Sequence, residues 1–135
     1  MKKQYIEKML YEINQNLIKD DSFDLFETIK KYKVVKNKDF HRYEIIHKNI
    51  QGINFVESSF RGVFIESSEF SNCNFERCSF VAANIVNSKF SNCKFKDCIF
   101  LSHFVDENLE DNCLFLNCYN ESVFIDCSTK ILSLK

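Results

Sequence analysis

The chain of 135 residues has no proline, no tryptophan and only two glycines, Gly52 and Gly62. A glycine-rich loop that cradles a phosphate therefore has almost no material. No stretch approaches the roughly 18 apolar residues of a membrane span. The start, Met1-Lys2-Lys3-Gln4-Tyr5-Ile6-Glu7-Lys8, carries charges where a secretory signal needs an apolar run. An even cysteine count is missing too. Seven cysteines without a signal sequence do not read as a secreted disulfide framework. A formal net charge of -1 gives no whole-chain case for nucleic-acid or membrane binding. These absences lead us to expect a cytoplasmic protein with reduced thiols. With 45% apolar and 27% charged residues, the chain is long enough for one globular domain.

What the chain has in excess is phenylalanine, 15 in all, and it is periodic. Every fifth residue from Phe40 to Ile125 is Phe, Ile or Val at sixteen of eighteen places, the exceptions being Glu110 and Asn120. Two places before each of these, the residue is usually small: Ser58, Val63, Ser68, Cys73, Cys78, Ala83, Ser88, Cys93, Cys98, Cys113 and Cys118. Six of the seven cysteines fall on this one slot. A period of five fits neither an α-helix nor simple strand alternation. It suits a coil that turns a corner about every five residues and points two of each five side chains inward.

Residues twenty apart match better still. Ile45, Ile65, Ile85, Val105 and Ile125 form one series; Phe55, Phe75, Phe95 and Phe115 a second; Phe60, Phe80 and Phe100 a third. Four units of five thus make one turn of a four-sided solenoid whose coils stack about 4.8 Å apart. No turn buries its own apolar face without its neighbours. The expected core is Phe55, Phe60, Ile65, Phe70, Phe75, Phe80, Ile85, Phe90, Phe95 and Phe100, with Cys73, Cys78, Cys93, Cys98, Cys113 and Cys118 in the narrow slots.

Units such as Cys73-Asn74-Phe75-Glu76-Arg77, Ala83-Asn84-Ile85-Val86-Asn87, Ser88-Lys89-Phe90-Ser91-Asn92 and Cys93-Lys94-Phe95-Lys96-Asp97 resemble the pentapeptide repeat proteins. The resemblance covers about residues 45–127 and is strict over 53–100. It implies an all-β solenoid, a right-handed quadrilateral β-helix with 20 residues per coil. For function it implies a non-enzymatic scaffold or protein-interaction module. It also implies an alternative, because some quinolone-resistance members resemble a DNA duplex in width and negative surface and occupy the DNA site of gyrase. Those relatives are longer, dimeric and more acidic. Here residues 1–48 carry a net +3 and residues 49–135 a net -4, and Lys89, Lys94 and Lys96 interrupt the acidic surface.

The ends leave the repeat. Residues 1–39 form an N-terminal extension in which Tyr5, Ile6, Met9, Leu10, Ile13 and Leu17 predict an amphipathic helix over 3–18. Asp20-Asp21-Ser22 breaks it and caps a second helix over 23–32 that buries Phe23, Phe26 and Ile29. Such a hairpin either covers an open end of the solenoid or binds a partner. The solenoid itself spans 40–127, with residues 40–50 distorted because Tyr43 and Lys48 occupy the small slot, and 128–135 is a tail. Near the other end Glu110 is expected to swing out and Leu109 to replace it through a bulge, since a buried unpaired carboxylate costs several kcal/mol. Outward apolar residues gather there: Ile99, Leu101, Phe104, Leu114, Leu116, Tyr119 and Phe124 are the candidate interface. The segment Ile131-Leu132-Ser133-Leu134 folds back on them, or a second copy pairs there as a homodimer.

No catalytic, cofactor or metal site is expected. The Cys-x4-Cys pairs follow the solenoid period, whereas zinc ligands converge from tighter knuckles. Small buried apolar residues account for all six. Cys127, outside the slot, is the expected reactive thiol. His41, His47 and His103 have no local nucleophile motif. The partners to consider are an unidentified protein, a second copy and DNA gyrase, with no nucleic acid and no membrane.

Overall fold

A computed structural model describes residues 3–20, 22–101, 104–105, 110–120 and 131–132. Helix α1 (Lys3–Gln15) and helix α2 (Leu25–Lys31) precede a stack of three-residue strands. Every strand pairing is parallel. The strands lie on four faces, which we number in chain order. The first face stacks Val34–Lys36, Asn54–Val56, Asn74–Glu76, Lys94–Lys96, Leu114–Leu116 and Ile131–Leu132. The second holds Ser79–Val81, Ile99–Leu101 and Tyr119–Asn120, extended by single bridges from Asp39 to Ser59 and Ser59 to Ser79. The third stacks Glu44–Ile46, Phe64–Glu66, Asn84–Val86 and Phe104–Val105. The fourth stacks Asn49–Gln51, Glu69–Ser71, Lys89–Ser91 and Glu110–Asp111. The chain is a β-solenoid of about four turns.

Inward residues explain the stack. In the middle coils the central residue of a rung meets its like on the next coil: Phe55 opposite Phe75, Ile65 opposite Ile85, Phe70 opposite Phe90. Phe60 and Phe80 lie 4.7 Å apart and 3° from parallel, as do Phe70 and Phe90. Their spacing is that of neighbouring strands. Rings on adjacent faces meet edge to face, as Phe55 and Phe60 do at 5.4 Å and 72°. That geometry puts the positive ring edge against the negative ring face. Every residue of the expected core is at most 2% exposed.

The corners explain the period. The residue after each strand has a positive φ, from Asn37 to Asn117 at five-residue intervals wherever the chain is described. Asn occupies this left-handed corner at 37, 72, 87, 92, 112 and 117, Asp at 97, and both glycines, Gly52 and Gly62, also sit there. These types tolerate the conformation best. Arg42, His47, Glu57, Ser67, Arg77 and Ala82 adopt it against their preference.

The small slot has a chemical role besides its size. The Ser68 hydroxyl donates to the Ile45 and Glu66 carbonyls at 3.2 and 2.9 Å. The Cys93 thiol donates likewise to Phe70 and Ser91 at 3.3 and 3.4 Å, and Cys98 to Phe75 and Lys96 at 3.3 and 3.5 Å. Serine and cysteine therefore exchange in this slot because both donate to the same carbonyls.

The ladder begins earlier than the repeat does in sequence. Val34–Lys36 already pairs in register with Asn54–Val56, and Val35 is 1% exposed. Large residues in the small slots of this first coil hold the cap. The Tyr43 hydroxyl accepts the Leu25 N–H at 3.0 Å, the Lys48 ammonium sits 4.6 Å over the Phe26 ring, and Lys38 sits 5.0 Å over Phe23. With no full coil beneath them, these side chains meet α2 and Phe23 just before it. Burial pushes the Tyr43 hydroxyl above its ordinary range. The cap of α2 is Asp24, whose carboxylate accepts the Phe26 and Glu27 N–H groups at 2.9 and 3.3 Å. The expected capping stretch forms its own turn, in which Asp20 accepts from the Ser22 hydroxyl at 2.6 Å.

Past residue 101, Glu110 keeps the twenty-residue register opposite Phe90, so its rung has no inserted residue. Leu109, the expected replacement, lies outside the described residues. In the tail, Ile131 pairs with Phe115 and Leu132 with Leu116, adding a rung to the first face. That offset is sixteen residues rather than twenty.

Candidate interaction surface

Among the described residues the interior is lined by apolar side chains, thiols and a few serine hydroxyls. Cys73, Cys78, Cys93, Cys98, Cys113 and Cys118 are free thiols, each at most 2% exposed. They stand in two columns, 73–93–113 and 78–98–118, along the axis. Contact with the Cys113 and Cys73 thiols, together with burial, pushes Cys93 far above its ordinary range. Burial, with Cys118 and Cys78 as neighbours, does the same to Cys98. Contact with the Cys93 thiol shifts Cys73 down. No cluster of three metal-ligating side chains exists among the described residues. His41 and His47 are exposed. His103 and Cys127 lie outside the described residues.

The surface is a different matter, because the outward side chains of the four faces differ. On the second face they are covered. Ile6, Met9 and Ile13 of α1 are 4%, 2% and 0% exposed and cluster with Ile99 at 0%, flanked by Leu101 and Tyr119. Ser59 and Ser79, outward on the same face, are also buried and lie in hydrogen-bond contact at 3.3 Å. A helix of 13 residues is about 20 Å long, which matches four coil spacings. The chain then reaches the first coil, where Ile18 pairs with Lys38. Arg77 ties α1 to the corner, donating to Glu12 at 3.2 Å with Glu57 at 3.9 Å on its other side.

This arrangement redistributes the candidate interface. Ile99 is fully buried beneath α1, and Leu101 and Tyr119 are partly buried against it. These three are internal contacts of the chain. Leu114, 39% exposed, and Leu116, partly buried, lie on the first face. Phe104 is placed only as part of a third-face strand, and Phe124 lies outside the described residues. Both segments of this pairing were visible in sequence, as a helical apolar stripe and as an outward apolar strip. What was missing is any local signal that they belong together.

Among the described residues the first face stays open. A groove of about 260 Å³ runs over Asn54, Val56, Asn74, Glu76, Lys94 and Lys96. The Asn74 amide donates to the Asn54 side chain at 2.8 Å, so the two form a ladder along the groove. One coil further on, Lys94 aligns with Asn74 and Lys96 with Glu76, and Leu114 and Leu116 follow. Acidic residues on the other faces are interrupted: Glu69 aligns with Lys89, and Glu66 with Val86. Among the described residues no face carries an unbroken acidic row.

The pentapeptide repeats family matches the chain in 8 copies over residues 65–97. No curated protein sequence matches it. The five-residue corners, the stacked phenylalanines and the four parallel faces are the three-dimensional form of that repeat, and over residues 65–97 the chain is a run of pentapeptide repeats.

Proposed function

We propose that the protein is a non-enzymatic scaffold of the cytoplasm whose first face docks a protein partner. The family supports a repeat scaffold or interaction module. The observation behind the choice of face is the contrast in cover. The second face spends its outward apolar residues on α1, whereas the first leaves a groove with Leu114 exposed beside it. No helix among the described residues is long and apolar enough to cross a membrane. A photo-crosslinking residue at position 74 should yield a discrete protein adduct in cells, and one at position 84 on the third face should not. Absence of an adduct from position 74 would sink the proposal.

Gyrase inhibition by DNA mimicry needs a continuous negative row, and Lys89 and Lys96 interrupt the rows where they lie. Titration into a gyrase supercoiling assay, with and without a fluoroquinolone, decides this alternative. No effect at tens of micromolar is the expected result. Inhibition or drug protection at low micromolar protein would replace docking on the first face as the leading function. Pairing of two copies through Leu114 and Leu116 would appear as a doubled molar mass on the same sample.

A further inference from the structure

The outward charges of the described strands are unevenly placed. The first face carries Lys36, Lys94 and Lys96 against Glu76. The third face, opposite it across the solenoid, has Glu44 and Glu66 and no lysine or arginine in its strands. A chain whose residues 49–135 are net negative thus has one locally cationic face, and it is the face with the groove.

The groove has a definite shape. Two rows of outward side chains flank it, one running 54–74–94–114 and the other 56–76–96–116. Residues two apart on a strand are about 7 Å apart, and successive rungs about 4.8 Å. A trough of that width takes one extended polypeptide lying along the solenoid axis. Along it come the amide ladder of Asn54 and Asn74, then the exposed pair Lys94 and Lys96, then Leu114 and Leu116. Carboxylates at the lysine rung and an apolar side chain one rung beyond would be matched. The asparagine ladder offers hydrogen bonds to a backbone or side-chain amide before that.

We infer that the first face binds an acidic, extended polypeptide segment, with its carboxylates between Lys94 and Lys96 and an apolar side chain on Leu114 and Leu116. This inference rests on the docking role proposed above and adds the chemistry of the partner. A fluorescein-labelled peptide of repeated Glu-Glu-Leu tests it on the full chain, by fluorescence anisotropy. A Lys-Lys-Leu peptide and a labelled DNA duplex serve as comparison probes. The acidic peptide should bind, and both comparison probes should not. Raising salt from about 0.05 to 0.5 M should weaken binding about tenfold or more, because exposed charges are then screened. Lys94→Glu/Lys96→Glu should weaken it by a similar factor. Lys19→Glu/Lys31→Glu, the same change in net charge away from the groove, should leave it within about twofold. Circular dichroism melting of both variants checks that the solenoid is intact.

Absence of acidic-peptide binding, equal loss in the two double variants, or equally tight binding of the DNA duplex would each overturn the inference. The crosslinking experiment separates it from the docking role. An adduct at position 74 that survives Lys94→Glu/Lys96→Glu leaves the first face as a docking site and removes its acidic partner. No adduct at all removes both.

Discussion

The first and second faces are built on the same backbone and differ in what points outward. Inside, Phe75 and Phe80 occupy equivalent places and are equally buried. Outside, the second face has Ser59, Ser79, Ile99 and Leu101, small residues followed by apolar ones, and a helix lies on it. The first has Asn54, Asn74, Lys94 and Lys96, and is open. In this fold the inward positions decide that a coil forms, and the outward positions decide what each face is for. The two sets are chemically independent because alternate residues of a strand face opposite ways.

The strongest test of that independence removes an inward ring. Phe75→Ala should cost about 3–5 kcal/mol, lowering the melting temperature of the whole domain and damaging both faces together. Wild-type melting would mean that the rings do not hold the coils. A smaller effect should follow on the covered face alone. Ile13→Ala removes a fully buried contact of α1 and should cost about 2 kcal/mol, below the loss for a central ring. Hydrogen exchange should then show α1 amides losing protection while the strand amides of the solenoid keep theirs. Uniform loss would show that helix and coils form one cooperative unit.

Two smaller changes address the scaffold common to both faces. Ala82 holds a left-handed corner at φ 57° and is exposed. Ala82→Gly should therefore stabilise by about 0.5–1 kcal/mol, the Cβ penalty relieved minus the added chain entropy, read as a higher melting temperature. Cys93→Ser should change stability by less than about 1 kcal/mol, since serine makes the same two carbonyl contacts at position 68. Complete loss of folding in that variant would point to a metal or disulfide role for the thiols.

Much of this was legible in the chain itself. A run of Phe and Ile at one spacing reports the inward columns directly, because burial leaves those positions no freedom. The corners carry a quieter signal, Asn at 72, 87, 92, 112 and 117, whose meaning shows only once the left-handed backbone is seen. The position of α1 was not. Its stripe of Ile6, Met9 and Ile13 identifies a face that must be covered. Only the folded chain shows that Ile99, some ninety residues away, is the cover. The cap was half visible, since Tyr43 and Lys48 broke the small-slot rule. The rule's failure marked the place where α2 docks. The lysines of the first face were visible as gaps in an acidic surface. Their meaning depends on the rungs that bring Lys94 beside Asn74 and Leu114.

The thiol columns have a consequence for following the molecule as it unfolds. Cys73 and Cys78, Cys93 and Cys98, and Cys113 and Cys118 form three pairs one coil apart, all shut off from solvent while the coils are closed. A thiol-specific alkylating reagent can reach each pair only when its own coil opens. The masses accumulated over time, mapped by peptide, therefore form a clock with three hands. If the solenoid frays from one end, the pairs are labelled in sequence; if it opens all at once, they are labelled together.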